Sequence, residues 1–191
     1  PSSNRIGAMP RLGAMDVATA LHAAAAVLLL LAGAAKVARP SITADLFFSL
    51  RMPRLRFLSG EAQAVAIGVV EIGLGMAALA IGGAVTAGIV GVFYVGFTAV
   101  VVRALMVGAT SCGCFGRAES PPTRIHVAGN VSLAAVSFIA IGGATPLEVM
   151  DDQVAGGLGF VILVGVLAGL FLVLFTALPE AMAARRPRFE S

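Results

Sequence analysis

The sequence predicts an all-α integral membrane protein: a four-helix transmembrane bundle followed by a fifth transmembrane helix. Three observations carry this. Of the 191 residues, 59% are hydrophobic and only 12% are charged, about half the charged share of a soluble domain. The apolar residues fall in long runs rather than in amphipathic stripes, and several runs reach the roughly 20 residues that cross about 30 Å of hydrocarbon. The gaps between runs hold most of the Pro and charged residues. A transmembrane barrel would show short alternating segments instead.

Taken in order, residues 1–16 form a polar tail with Arg5, Arg11, Pro1 and Pro10 and are expected to be disordered. Residues 17–38 form the first span, with Leu28 to Leu31 at its centre and the small residues Ala32, Gly33, Ala34 and Ala35 behind them. This run also resembles a signal peptide, although it is longer than a usual apolar region of that kind. Lys36, near its end, reads as a snorkelling lysine with its amine among the headgroups. Arg39-Pro40 then stops the helix. In residues 41–60, Phe47, Phe48, Leu50, Leu55, Phe57 and Leu58 alternate with Arg51, Arg54 and Arg56. That is too charged to span; it fits a segment lying at the membrane interface or a loop.

The second span covers residues 62–82 and places Glu71 about 15 Å into the bilayer at 1.5 Å per residue. A carboxyl there must face the bundle, be protonated or have a partner. It reads as a proton- or quinone-linked site or as a polar tie between helices; Lys36 and Arg103 approach from one membrane face. Gly82-Gly83 makes a short turn, so the third span, residues 85–107, returns antiparallel. Ala87 and Gly91 there make a small-xxx-small pair suited to close helix packing. The loop at residues 108–123 carries both cysteines. The fourth span begins at Arg124 and places His126 and Asn130 on one face, one turn apart. Residues 146–178 hold an acidic loop, with Glu148, Asp151 and Asp152, and the fifth span, with Gly165 and Gly169 in a GxxxG frame. Residues 179–191 are a basic tail.

The net charge of +3 rests on thirteen basic residues, only Lys36 being lysine. They sit mainly in loops and tails, the pattern that sets membrane orientation. No aromatic-plus-basic surface points to nucleic acid. With alternating spans, the side holding the first interhelical loop, the cysteine loop and the C-tail collects nearly all of the positive charge. The positive-inside rule makes that side cytoplasmic.

Cys112 and Cys114 flank Gly113 in Ser-Cys-Gly-Cys-Phe-Gly, residues 111–116. A disulfide between them closes a small ring, for which Gly113 has the backbone freedom. Strained disulfides are easily reduced, which suits thiol–disulfide exchange better than a structural staple. Arg117 would favour the thiolate. Two other readings stay open: a copper or zinc site built from Cys112, Cys114 and His126, and two ordinary thiols at a turn. A chain with one cysteine pair is not a complete transmembrane thiol relay. It needs a dithiol partner protein, a quinone, or both.

The order of these features resembles the methylamine-utilisation MauE family, within the wider DoxX-like group. The resemblance runs over residues 17–145. It is carried by Leu-Ala-Gly-Ala-Ala-Lys at 31–36, by Glu71 with Gly73 and Gly75, by Cys112-Gly113-Cys114-Phe115-Gly116, and by Arg124, His126 and Gly129-Asn130. It implies a four-helix core in a bacterial inner membrane and action alongside a thioredoxin-like or other redox partner in disulfide formation in another protein; a non-catalytic membrane anchor of a redox complex is a separate alternative. Cys112 and Cys114 would be the redox pair, and Lys36, Glu71 and Asn130 supporting polar positions. The layout also resembles quinone-linked disulfide enzymes of the vitamin K epoxide reductase type, whose CxxC this chain lacks; a quinone is the candidate cofactor. Oxidation of exported proteins implies thiols on the outer face, whereas the arginines place them inside.

Overall fold

The computed structural model of the chain describes residues 14–52, 57–109, 122–151 and 157–184. They fold as α1 (Ala14–Ala38), α2 (Pro40–Ser49), α3 (Gly60–Ala80), α4 (Gly83–Val107), α5 (Arg124–Ile139) running into a short 3-10 turn at Ala140–Gly142, α6 (Pro146–Asp151) and α7 (Leu158–Ala184). Among the described residues there is no strand. Among the described residues, five helices are long and apolar enough to cross a membrane.

Helix boundaries follow local chemistry. Pro40 starts α2 directly after α1 ends, because proline fits the first helical turn but cannot continue the preceding one. The Ser59 side chain accepts from the Ala62 N–H at 3.1 Å and opens α3. Gly82 and Gly83 have φ of 64° and 86°, left-handed values that glycine adopts without penalty, and the chain reverses there into α4. Gly108, at φ 68°, closes α4. The predicted acidic loop contains a helix instead, α6. Thr145 and Glu148 bond each other's backbone N–H at 3.3 and 2.7 Å, a capping box with Pro146 as first helical residue. The Thr145 backbone N–H, and after it the Thr145 hydroxyl, hold the exposed Glu148 carboxyl below its usual pKa by favouring the ionised form.

Helix α1 is the centre of the bundle. It contacts α3, α5 and α7, and Ala20, Ala23 to Ala26, Leu28 and Leu29 are all buried. Removing it as a cleaved leader would strip out the middle of the core. Helix α7, beyond the resembling region, is part of this core through Phe160, Val164, Ala168 and Phe175. Its GxxxG glycines are not the packing face: a Cβ at Gly165 or Gly169 would meet nothing within 4 Å. Ala87 and Gly91 do pack, Gly91 so tightly that a Cβ would sit 2.7 Å from the Phe138 ring.

Contacts define two ends. At one, Thr19 Oγ1 donates to the Ala144 carbonyl at 3.0 Å and Gly82 abuts Thr145. At the other lie the end of α1, α2, the end of α4, the start of α5 and Phe175 of α7. Lys36, Arg39, Arg51, Arg103 and Arg124 belong to this second end, and Glu148 and Asp151 to the first.

Candidate functional site

The site grows from the contact between α1 and α3. A Cβ on Gly33 would lie 2.5 Å from the Gly68 carbonyl oxygen, one on Gly68 would lie 2.7 Å from the Gly33 carbonyl oxygen, and one on Gly75 would lie 2.8 Å from that of Ala26. Only glycine permits this approach. Side chains on a helix lean toward its N-terminus, so Lys36, close to the end of α1, reaches back into the bundle. Its Nζ meets Glu71 Oε2 at 2.8 Å. Both side chains are buried, Glu71 completely. Lys36 is therefore not the snorkelling lysine its position suggested. Hydrocarbon or protein surrounds the pair, so leaving either charge alone would be costly. Glu71 has the partner that its depth required.

The pair does not use all of its polar capacity. Glu71 Oε1 is buried without a hydrogen-bond partner among the described residues. Lys36 Nζ also lies 5.4 Å from the Phe97 ring centroid, within cation–π range. Both residues face a cavity of about 550 Å³ between α2, α3 and α4, lined mostly by apolar side chains including Phe47, Phe93 and Phe97. Thr43 of α2 also lines it, and its buried Oγ1 likewise lacks a partner among the described residues. Arg103 lines the outer part and donates from Nε to the Leu50 carbonyl at 2.7 Å. That bond fastens the end of α2 to α4. On the other side of Lys36, a small cavity of about 30 Å³ is bounded by Lys36, Tyr94, Phe97, Phe175 and Asn130. Lys36 thus lines both cavities, with Glu71 on the larger and Asn130 on the smaller.

His126 is buried near the same end but is occupied. Its Nδ1 accepts from the Thr123 N–H at 3.2 Å and lies 2.9 Å from Thr123 Oγ1. Nε2 then carries the proton and donates to the Phe175 carbonyl at 2.9 Å. The imidazole completes a capping box at the start of α5 in the position usually held by Glu or Gln, stacks on Phe175 with centroids 5.6 Å apart, and joins α5 to α7. In this arrangement both ring nitrogens are engaged in hydrogen bonds. Arg124 is exposed at the helix start. Cys112, Gly113, Cys114, Phe115 and Gly116, with Arg117, lie outside the described residues.

Sequence reasoning did not single out Thr43, Phe97, or the buried pair His22 and Ser137, whose Nδ1 and Oγ are 3.2 Å apart. A histidine and a serine inside apolar runs are signals in their own right. Thr43 and Phe97 carry no such signal; their place depends on how α2 and α4 cross α3. Tyr94 donates to the Ala25 carbonyl at 2.7 Å and ties α4 to α1.

Against known families, the model described as methylamine utilisation protein MauE matches residues 15–143. The chain belongs to the MauE family. The match covers α1 to α5, and so includes Lys36, Glu71, His126, Asn130 and the cysteine segment, but not α6 or α7. No curated protein and no solved structure matches the chain. The fold of this MauE-family member is thus the predicted all-α membrane architecture with five candidate spans.

Proposed function

We propose that this MauE-family chain is an inner-membrane thiol–disulfide exchange component, with Cys112 and Cys114 as its redox pair and a thioredoxin-like protein as its partner in the maturation of another protein. The observation that carries the reading is the family match over residues 15–143 with the Cys-Gly-Cys-Phe-Gly sequence inside it. The framing of that sequence adds support. Helix α4 stops at Gly108 and α5 starts at Arg124 behind its Thr123 capping box, so the cysteine segment joins two helices at one end of the bundle.

The exchange balances without an outside oxidant. A partner thiolate attacks one sulfur of the Cys112–Cys114 disulfide, and a mixed disulfide forms as the intramolecular S–S bond breaks. The partner's second thiolate then attacks its own sulfur in that bridge. The partner leaves oxidised, and Cys112 and Cys114 take up the two electrons and the protons as a dithiol. With the basic end of the bundle inside, as the arginine distribution argues, this exchange takes place on the cytoplasmic face.

The test is capture of the intermediate. Cys112→Ser and Cys114→Ser variants are expressed in cells, quenched in acid and alkylated. One of the two accumulates a mixed disulfide with a thioredoxin-like protein, because the resolving thiol is missing. If neither forms a reducible adduct, the reading fails. An impermeant thiol reagent applied to intact cells decides the side: a cytoplasmic pair stays unlabelled until the membrane is opened.

A further inference from the structure

We propose that the cavity between α2, α3 and α4 is a binding site for the ring of a lipid-soluble quinone or its quinol, with Lys36, Glu71 and Thr43 as the residues that hold its oxygens. The site does not depend on the exchange reaction proposed above.

Two kinds of observation define the ligand. The first is access and volume. Val92, Gly96 and Ala99 line the cavity and are exposed on α4 within its apolar span, so the mouth opens toward hydrocarbon. About 550 Å³ falls in the usual range for small-molecule sites, roughly 300–1,000 Å³. A ligand arriving this way is membrane-soluble.

The second is chemistry. Two polar atoms of residues that line the cavity, Thr43 Oγ1 and Glu71 Oε1, are buried and unpartnered among the described residues. A buried polar group without a partner is costly, so a ligand that completes these bonds is favoured over one that does not. An acyl chain cannot. A phosphate or carboxylate headgroup would meet the Glu71 oxygen with like charge. A neutral ring oxygen meets neither objection. The wall offers donors, the Lys36 ammonium and the Thr43 hydroxyl, beside acceptors, Glu71 Oε1 and the same hydroxyl. Quinone carbonyls accept and quinol hydroxyls donate, so both redox forms find partners here. The Phe93 and Phe97 rings, 6.2 Å apart and nearly perpendicular, give a planar ring an aromatic wall.

The test uses the full chain in lipid nanodiscs, with decylubiquinone as probe. The expected result is saturable binding, read as a rise in melting temperature. Gly96→Leu narrows the cavity mouth at little structural cost, since Gly96 lines the cavity and a Cβ there meets nothing within 4 Å. Affinity falls at least tenfold, while Gly73→Leu, at an equally open position that does not line the cavity, leaves it unchanged. Ala99→Leu serves the same purpose should Gly96→Leu fail to fold. Thr43→Val keeps the shape, removes the hydroxyl and weakens decylubiquinone several-fold, without weakening decane. The Cys112→Ser/Cys114→Ser double variant binds as the parent does, which separates this site from the thiol chemistry. Absence of saturable binding, binding that Gly96→Leu and Ala99→Leu both leave intact, or equal binding of decane and decylubiquinone would overturn the assignment.

Discussion

Lys36 Nζ and Glu71 Oε2 stand 2.8 Å apart inside the bundle, and the close approach of Gly33 to Gly68 makes the distance possible. Removing one partner strands a buried charge. Glu71→Ala is therefore expected to destabilise the protein by roughly 3–5 kcal/mol, the usual cost of breaking a buried pair from one side. The double variant Lys36→Met/Glu71→Leu should recover most of that loss. Thermal unfolding in detergent measures both. Additive single and double effects would show that the two side chains are not coupled.

The α1–α3 contact makes its own prediction. Gly33→Leu would drive a side chain into the Gly68 carbonyl, a backbone atom that cannot swing away. Overpacking of this kind costs about 1–3 kcal/mol or more. Gly73→Ala on the same α3, where a Cβ meets open space, should be neutral or slightly stabilising through helix propensity. The contrast in melting temperature between the two variants is the readout.

His126→Phe keeps a ring to stack on Phe175 but loses the bonds to Thr123 and to the Phe175 carbonyl. A loss of about 1–3 kcal/mol is expected, from the unmade buried hydrogen bond and the weakened cap. Hydrogen exchange should rise at the start of α5 and around Phe175, while α3 stays protected. Uniform exchange across all helices would mean that His126 does not act as a local tie.

Acid should loosen α6 before the bundle. The Glu148 carboxyl has its pKa lowered in the folded chain from 4.5 by its bonds to Thr145. A depressed acid pKa means that the carboxylate's stabilising contribution is complete above the unfolded value and is lost as pH falls through the folded one. Protection of the Thr145, Glu148 and Val149 amides, measured against intrinsic exchange at each pH, should thus fall as the pH drops below about 4.5. Glu148→Ala should remove that pH dependence.

Much of this fold was readable because the bilayer imposes simple demands on length and polarity. Arg39-Pro40, the Gly82-Gly83 turn and the apolar runs placed the helix breaks to within a few residues. Glu71 announced that it needed a partner. The partner's identity was only half legible, since Lys36 near a helix end fits a snorkelling lysine equally well; the decision came from the depth of the α1–α3 crossing, which two glycines on different helices set jointly. Packing faces were harder. Uniformly apolar helices lack the stripe that marks a buried face in water. So Gly165 and Gly169 looked like a contact and face open space, whereas Phe175, unremarked in an apolar run, closes the site end of the core. Helix α6 was hidden in an acidic loop, although its Thr-Pro-Leu-Glu start is a capping signature. The cavity had no local signal, because its walls come from helices far apart in sequence.

The thiol chemistry of residues 112–114 is the centre of the functional account, and mass spectrometry tests it most directly. The purified full-length protein is equilibrated across a series of glutathione redox buffers, quenched in acid and alkylated. The account predicts one two-electron transition, from both Cys112 and Cys114 alkylated to neither, with the peptide that carries them lighter by two hydrogens and the change reversed by reductant. Two thiols that remain alkylatable under the most oxidising buffer, or that form only adducts with glutathione, would contradict it.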